Sequence, residues 1–254
     1  MQKQIDKIID WIKIYFEGTG IKDTKAIVGI SGGKDSTIAA ALLCRALGPD
    51  RVIGVLMPDG SQKDIQYAYE VCEYLGIKYY EINIGLTSST LAEAFPDELF
   101  ELNDDNDIYW TNTPARIRMA TLYGVAGLVG GRVCNTGNRS EAYIGYTTKY
   151  GDLAGDFALL KNFTVREVLE IGDALDLPYN LVHKVPSDGM SGKSDEDKIG
   201  FSYETLDSYL LEGIYPDYDT FCKINQMHKR GAHKQACICL PAPQNIAREK
   251  YRPK

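Results

Sequence analysis

Hydroxyls, glycines and one carboxylate crowd into the stretch Gly29-Ile30-Ser31-Gly32-Gly33-Lys34-Asp35-Ser36. Before it, Ala26, Ile27 and Val28, with Ile30, form a short apolar run that reads as a buried strand. After it, Thr37 to Leu47 is rich in Ala and Leu and reads as a helix. A tight turn between a strand and a helix N-terminus presents free backbone N–H groups and the positive end of the helix dipole, so it suits an anion. Ser31 and Ser36 add hydroxyl donors, and Gly32 and Gly33 let backbone approach phosphate oxygens closely. Asp35 fits an anion site if a cation bridges it to the anion, and Mg²⁺ suits both kinds of oxygen. The spacing is not a Walker A loop, because Lys34 stands one position too close to Gly29 and Asp35 follows it. Nor does it fit the dinucleotide pattern G-x-G-x-x-G. The plainer alternative is an ordinary Gly/Ser turn.

The flanking elements must hold this loop. Ile5, Ile8, Ile9 and Ile12 recur at helical spacing near the start. Arg51 to Met57 reads as a second strand, ended by Pro58-Asp59-Gly60. Gln62 to Leu75 reads as a helix closed by Gly76, and Ile77 to Ile84 as a third strand. Thr87 to Phe95 reads as a short helix, Pro96 to Asn112 as an acidic, polar loop, and Ala115 to Leu128 as a helix. Arg132 to Asn135 is a fourth strand running into Thr136-Gly137-Asn138-Arg139-Ser140-Glu141, a second Gly-containing turn with hydroxyl and carboxylate groups. Thr164 to Leu175 is a helix whose Thr164 and Glu167 make a capping box. Ser187 to Lys198 reads as a mobile loop or lid, and Thr205 to Leu211 and Asp219 to Met227 as helices. Strands alternating with helices predict one doubly wound α/β domain over residues 1–254 with a mostly parallel sheet. Ligands in such sheets sit beyond the carboxyl ends of the strands, where the Ser31 loop and the Pro58 turn lie.

Composition narrows the class. A formal net charge of -7 argues against general nucleic-acid binding. No apolar run is long enough to span a membrane. Cysteines at 44, 72, 134, 222, 237 and 239 form no disulfide framework, which points to a reducing, cytoplasmic compartment. His228, His233, Cys237 and Cys239 lack the partner pair of a zinc site and read as a helix end and surface tail.

Five stretches, in order, resemble ammonia-dependent NAD⁺ synthetase, a family of PP-loop ATPases. They are the Ser31 loop; Asn112-Thr113-Pro114-Ala115-Arg116-Ile117-Arg118-Met119; Thr136 to Glu141 with Gly145 to Asp152; Pro186-Ser187 with Asp195-Glu196 and Gly200-Phe201-Ser202-Tyr203; and His228-Lys229-Arg230. The resemblance implies a Rossmann-like fold of the adenine nucleotide alpha hydrolase kind. It also implies a ligase that forms a C–N bond. Deamido-NAD⁺ is first joined through its carboxylate to AMP from ATP, and ammonia then displaces AMP. It further implies that Ser31, Gly32, Gly33, Lys34, Asp35 and Ser36 hold the pyrophosphate end of ATP, with Gln62, Thr136 and Ser187 as further ATP contacts. Asp35 and Glu141 would be the catalytic Mg²⁺ ligands, and Arg116, Lys149, Asp156, His228 and Lys229 would hold deamido-NAD⁺. A homodimer is implied, with the dinucleotide near the subunit interface.

Three positions depart from the family. Val165 replaces a lysine that touches ATP, Lys34 stands where relatives often carry a neutral residue, and Ser187 replaces Thr. Glutamine-dependent relatives carry an amidase domain ahead of the synthetase part. Here the loop follows a single short helix and strand, so free ammonia is the expected nitrogen source. Two other readings stand beside this one: a PP-loop enzyme that adenylates a different substrate, and a non-catalytic nucleotide-binding module.

Overall fold

The computed structural model describes residues 1–21, 23–62, 64–102, 107–183 and 194–235. Ser187, Cys237 and Cys239 lie outside the described residues, as does most of the expected lid. The chain begins with α1 (Gln2–Thr19), β1 (Lys25–Gly29), α2 (Lys34–Leu47), β2 (Val52–Leu56), α3 (Ile65–Leu75) and β3 (Lys78–Glu81). It continues with α4 (Gly85–Glu93), α5 (Asp97–Glu101), α6 (Asp107–Val129), β4 (Gly131–Asn135), α7 (Arg139–Ile144) and β5 (Phe157–Ala158). The last helices are α8 (Val165–Ala174), α9 (Tyr179–Val182), α10 (Asp195–Ile199), α11 (Tyr203–Glu212) and α12 (Tyr218–Gln235).

All five strands are parallel, in the order β3-β2-β1-β4-β5. The predicted doubly wound α/β sheet is therefore present. The order reverses between β1 and β4, because the chain first builds outward to β3 and then returns to the other side of β1. A crevice opens at the carboxyl ends at such a reversal, since the two connections leave in opposite directions.

Strand alternation divides the core. Ala26 and Val28 face one side with Ile38, Leu42 and Leu43 of α2, Ile5, Ile12 and Phe16 of α1, and Val168 and Ile171 of α8. Ile27, Ile53, Val55 and Val133 face the other side, covered by Met119, Leu122, Val125 and Ala126 of α6. A third cluster joins Ile144, Val165, Ile199, Phe201, Leu206 and Ile224, so α7, α8 and α10 to α12 pack together beside the sheet.

Some boundaries differ from the sequence reading. The loop expected over 96–112 is largely helical: α5 occupies part of it, and α6 starts before Pro114 and runs through it. Proline lacks a donor and usually ends a helix, which is why the sequence placed the start after it. Here an aromatic cluster supports the first turns, with Phe100 stacked on Trp110 and Tyr109 edge-on to Phe95, Phe100 and Trp110. At the end of the expected lid, α10 forms a short helix with Ser194 capping Asp197. The two-residue β5 and the six-residue α7 were too short to show a period in the sequence. Helix α3 does end at Gly76, whose φ of +63° is the left-handed cap expected there.

Candidate active site

The anion loop is built by its own hydroxyls. Ser36 Oγ donates to the Gly33 carbonyl at 3.0 Å and Thr37 Oγ1 donates to the same oxygen at 2.9 Å. Gly33 N donates to Ser31 Oγ at 3.2 Å, and the Ser31 and Ser36 hydroxyls lie 3.1 Å apart. Gly32 has φ +76°, and a Cβ there would fall 2.8 Å from Tyr67 Cβ and 2.9 Å from the Ala68 backbone N. The loop is thus pressed onto the start of α3 at a position that only glycine fills without strain.

Across the strand-order reversal, β4 supplies the second loop. Asn135 donates to the carbonyls of Asp152 and Ala154 and accepts from Gly137 N at 3.0 Å, which fixes the turn through Thr136. Asn138 then opens α7 with a capping box to Glu141. Its side chain also crosses to the first loop: Nδ2 donates to Asp35 Oδ1 at 3.2 Å, while Oδ1 accepts from Glu141 N at 3.0 Å. One fully buried residue thus bonds both carboxylates, Asp35 through its side chain and Glu141 Oε2 through its backbone N at 3.3 Å. Ser140 anchors the same turn from behind, donating to Asp207 Oδ1 at 2.5 Å and accepting from Val165 N at 3.1 Å.

Charge is concentrated here. Burial pushes the Glu141 carboxyl up, and the nearby Asp35 carboxylate adds to the effect, so it titrates at about 8. Burial alone would lower the Lys34 ammonium, but Asp35 and Glu141 outweigh it and raise it to about 12. Lys34 Nζ sits 2.9 Å from Asp35 Oδ2. The Tyr203 hydroxyl is buried without a hydrogen-bond partner among the described residues, within the electrostatic reach of Glu141, Asp195 and Asp35.

A cleft of about 800 Å³ lies over the carboxyl ends of β1, β2 and β4. Ser31, Gly33, Ser36, Gln62 and Thr136, read from the sequence as ATP contacts, line it. A smaller recess of about 260 Å³ adjoins it and adds Asp35 and Glu141. The expected dinucleotide contacts are not brought into this cleft. Arg116 donates from Nε to the Lys149 carbonyl at 3.2 Å, and Lys149 Nζ donates to the His233 carbonyl at 2.7 Å. The Asp156 carboxylate accepts from Val133 N at 2.7 Å. His228 bonds the Tyr143 carbonyl at 2.7 Å and stacks on the Tyr143 ring, and Lys229 is exposed.

The cleft instead receives Arg118 and Lys234. Arg118 Nε donates to the Met57 carbonyl at 2.9 Å at the end of β2. Two residues apart on a helix point to different sides, so Arg116 and Arg118 cannot both face one cleft. The apolar positions of α6 that follow, Met119, Leu122 and Val125, put Arg118 on the sheet side, a signal available in the sequence. Lys234 holds the carbonyls of Gly145 and Thr147, each at 2.7 Å, from the last turn of α12. The position of the missing lysine, Val165, packs in the third apolar cluster. Arg166 does not replace that cation, because it pairs with Glu212 and Ser208 on α11.

Comparison with known proteins agrees with this architecture. The profile of the NAD synthase family matches residues 4–237. The NH(3)-dependent NAD(+) synthetase of Alkaliphilus oremlandii is 35% identical over 241 residues, covering 92% of this chain and 95% of its own length. Among solved structures, NMN synthetase from Francisella tularensis superposes with a TM-score of 0.82 at 30% identity, covering 95% of this chain and 98% of that one. NH3-dependent NAD synthetase from Campylobacter jejuni superposes with a TM-score of 0.72 at 27% identity, covering 94% and 98%. A family profile over nearly the whole chain, and a relative this similar end to end, leave one conclusion: the chain belongs to the NAD synthase family.

Proposed function

We propose that a single domain over residues 1–254 makes NAD⁺ from deamido-NAD⁺, ATP and ammonia through an acyl-adenylate. The observation that carries this reading is Asn138, which bonds the Asp35 carboxylate through its side chain and the Glu141 carboxylate through its backbone N, beside the anion loop. A carboxylate is a poor electrophile and repels a triphosphate. The site must bring two anions together, and donors and cations at the α-phosphate achieve that. The substrate carboxylate oxygen attacks the α-phosphorus and pyrophosphate leaves. Ammonia then attacks the acyl carbon, AMP leaves, and a proton is lost. Backbone and hydroxyl donors of Ser31, Gly32, Gly33 and Ser36 would hold the leaving pyrophosphate, with Lys34 as a further contact. Gln62, Thr136 and Ser187 would hold the rest of ATP.

The residues fit Mg²⁺. Asp35 and Glu141 are hard oxygen donors, and the unpartnered Tyr203 hydroxyl beside them suits a hydrated cation. When bound, Mg²⁺ would offset the charge that develops on the pyrophosphate. Its binding should depend on pH. With Glu141 at about 8, the metal-free site holds a proton near neutrality that Mg²⁺ must displace. Affinity should rise up to about tenfold per pH unit below that value and flatten above it. The stability sign is opposite: the folded metal-free state binds this proton more tightly than the unfolded chain between 4.5 and about 8, so its stability falls as pH rises through that window. Calorimetric Mg²⁺ titration in buffers of different ionisation enthalpy reads the proton directly. Titration without proton release near neutrality would show that Glu141 is already ionised in the metal-free site.

Arg116, Lys149, Asp156, His228 and Lys229 would contact deamido-NAD⁺ outside the single-chain cleft, at a homodimer interface. Exposed apolar side chains support such an interface, among them Leu102, Ile108, Trp110 and Leu128 on or beside α6. Arg116→Ala should weaken deamido-NAD⁺ binding by about 10- to 150-fold, since a charged hydrogen bond is worth roughly 1.5–3 kcal/mol, and should leave ATP affinity unchanged. Equal loss for both ligands in calorimetry would contradict the assignment.

One observation favours a shorter substrate. The solved structure that superposes with a TM-score of 0.82 is NMN synthetase, and the expected dinucleotide contacts lie off the cleft. Comparing kcat/KM for the mononucleotide acid and deamido-NAD⁺ decides between the two; a higher value for the mononucleotide would replace the dinucleotide reading. We place the protein in the cytoplasm, which suits the free thiols of Cys44, Cys72, Cys134 and Cys222. Among the described residues no helix is long and apolar enough to cross a membrane.

A further inference from the structure

Lys34 is out of place by ordinary rules. It is the first residue of α2, where the positive end of the helix dipole disfavours a cation. Its side chain is only 11% exposed, where lysine is almost never buried unpaired. What holds it is negative charge: the ammonium lies 2.9 Å from Asp35 Oδ2, and the charge of Asp195 reaches it as well. Both Asp35 oxygens are then engaged, Oδ1 by Asn138 and Oδ2 by Lys34. A divalent cation cannot take Oδ2 unless the ammonium leaves, and the two positive charges repel while both remain.

We propose that Lys34 is an internal counter-ion that excludes free Mg²⁺ and releases Asp35 only when a nucleoside triphosphate arrives. The flexible four-carbon stem lets the ammonium move from Asp35 to a pyrophosphate oxygen, a point charge exchanging one anion for another. The metal then enters with the nucleotide, and the free protein does not hold it beforehand. This rests on the reading of Asp35 and Glu141 as metal ligands.

The test is binding of Mn²⁺, as a paramagnetic stand-in for Mg²⁺, to the full chain, followed by electron paramagnetic resonance. Wild type without nucleotide should bind Mn²⁺ weakly, and α,β-methylene-ATP should tighten it. Lys34→Met should bind free Mn²⁺ at least tenfold more tightly, while its affinity for α,β-methylene-ATP in the absence of metal falls. Lys34→Arg keeps the charge and should exclude free Mn²⁺ as wild type does. Thermal melts confirm that the variants are folded, and Lys34→Gln offers a second neutral side chain if Lys34→Met fails to fold. Equal free-Mn²⁺ affinity in wild type and the neutral variants overturns the proposal. Asp35→Asn in the Lys34→Met background separates the two readings. If Mn²⁺ binding survives that change, the metal assignment itself is wrong; if it is lost but the lysine change alone gave no gain, only the counter-ion role fails.

Discussion

Asp35→Asn is expected to lower the turnover of NAD⁺ formation by about 10²–10³-fold, the loss typical when one electrostatic stabiliser of a developing charge is removed. Asparagine keeps the shape and the acceptor for Asn138 Nδ2, so the loop stays in place. What would disappear is the negative ligand that the proposed function assigns to Mg²⁺, and with it the shielding of the pyrophosphate charge. The Lys34 ammonium also loses its ion pair, but its flexible stem lets it reach solvent. The protein should therefore stay folded, with the damage in kcat and in the Mg²⁺ concentration needed for half-maximal rate. Steady-state rates across a Mg²⁺ series measure both. A near-normal rate at ordinary Mg²⁺ would show that Asp35 is not a metal ligand.

Gly32→Ala is expected to be nearly as damaging, by a different route. At φ +76° a side chain costs roughly 1–2 kcal/mol, because Cβ crowds the following carbonyl. The added methyl would also meet Tyr67 Cβ at 2.8 Å and the Ala68 backbone N at 2.9 Å, and helix backbone cannot yield as a flexible side-chain tip does. Overpacking of this kind typically costs about 1–3 kcal/mol more. The loop must move off α3, and a misplacement of about 1 Å at a reacting site can cost about 10²-fold in rate. The melting temperature and kcat/KM for ATP should fall together. Gly33→Ala is the comparison, since φ there is −88° and the nearest atom to a new Cβ is the Ser31 hydroxyl at 3.3 Å. Gly33→Ala should be clearly the more stable of the two, and thermal melts giving the reverse order would refute the steric account.

The sequence made the sheet and its first loop legible because local signals agreed. Ala26 to Val28, the Ser/Gly turn and the Ala-rich α2 point the same way, and tertiary packing had nothing to override. Gly76 and the Thr164 capping box worked for the same reason: each is a short-range hydrogen-bonding pattern. The start of α6 was hidden because contacts among Phe95, Phe100, Tyr109 and Trp110, up to fourteen positions apart, outweigh the local signal of Pro114. The role of Asn138 was hidden too. Its bond to Asp35 spans 103 residues, and only the neighbouring placement of β1 and β4 brings the two together. Lys34 was visible as a departure, but its burial against Asp35 depends on how α2 packs in the fold, which the sequence does not show. Arg118 was within reach, since the apolar spacing of α6 already fixed the buried side of that helix.

The central claim is that the cleft beyond β1 and β4 joins ammonia to the carboxylate of deamido-NAD⁺ at the expense of ATP. Incubating the purified chain with deamido-NAD⁺, ATP, Mg²⁺ and ammonium, and following NAD⁺, AMP and pyrophosphate together, tests it most directly. The account predicts the three products in equal amounts, dependent on all four components, with glutamine a poor replacement for ammonium. Pyrophosphate release that ignores deamido-NAD⁺, or efficient glutamine use with glutamate formed in step with NAD⁺, would contradict it.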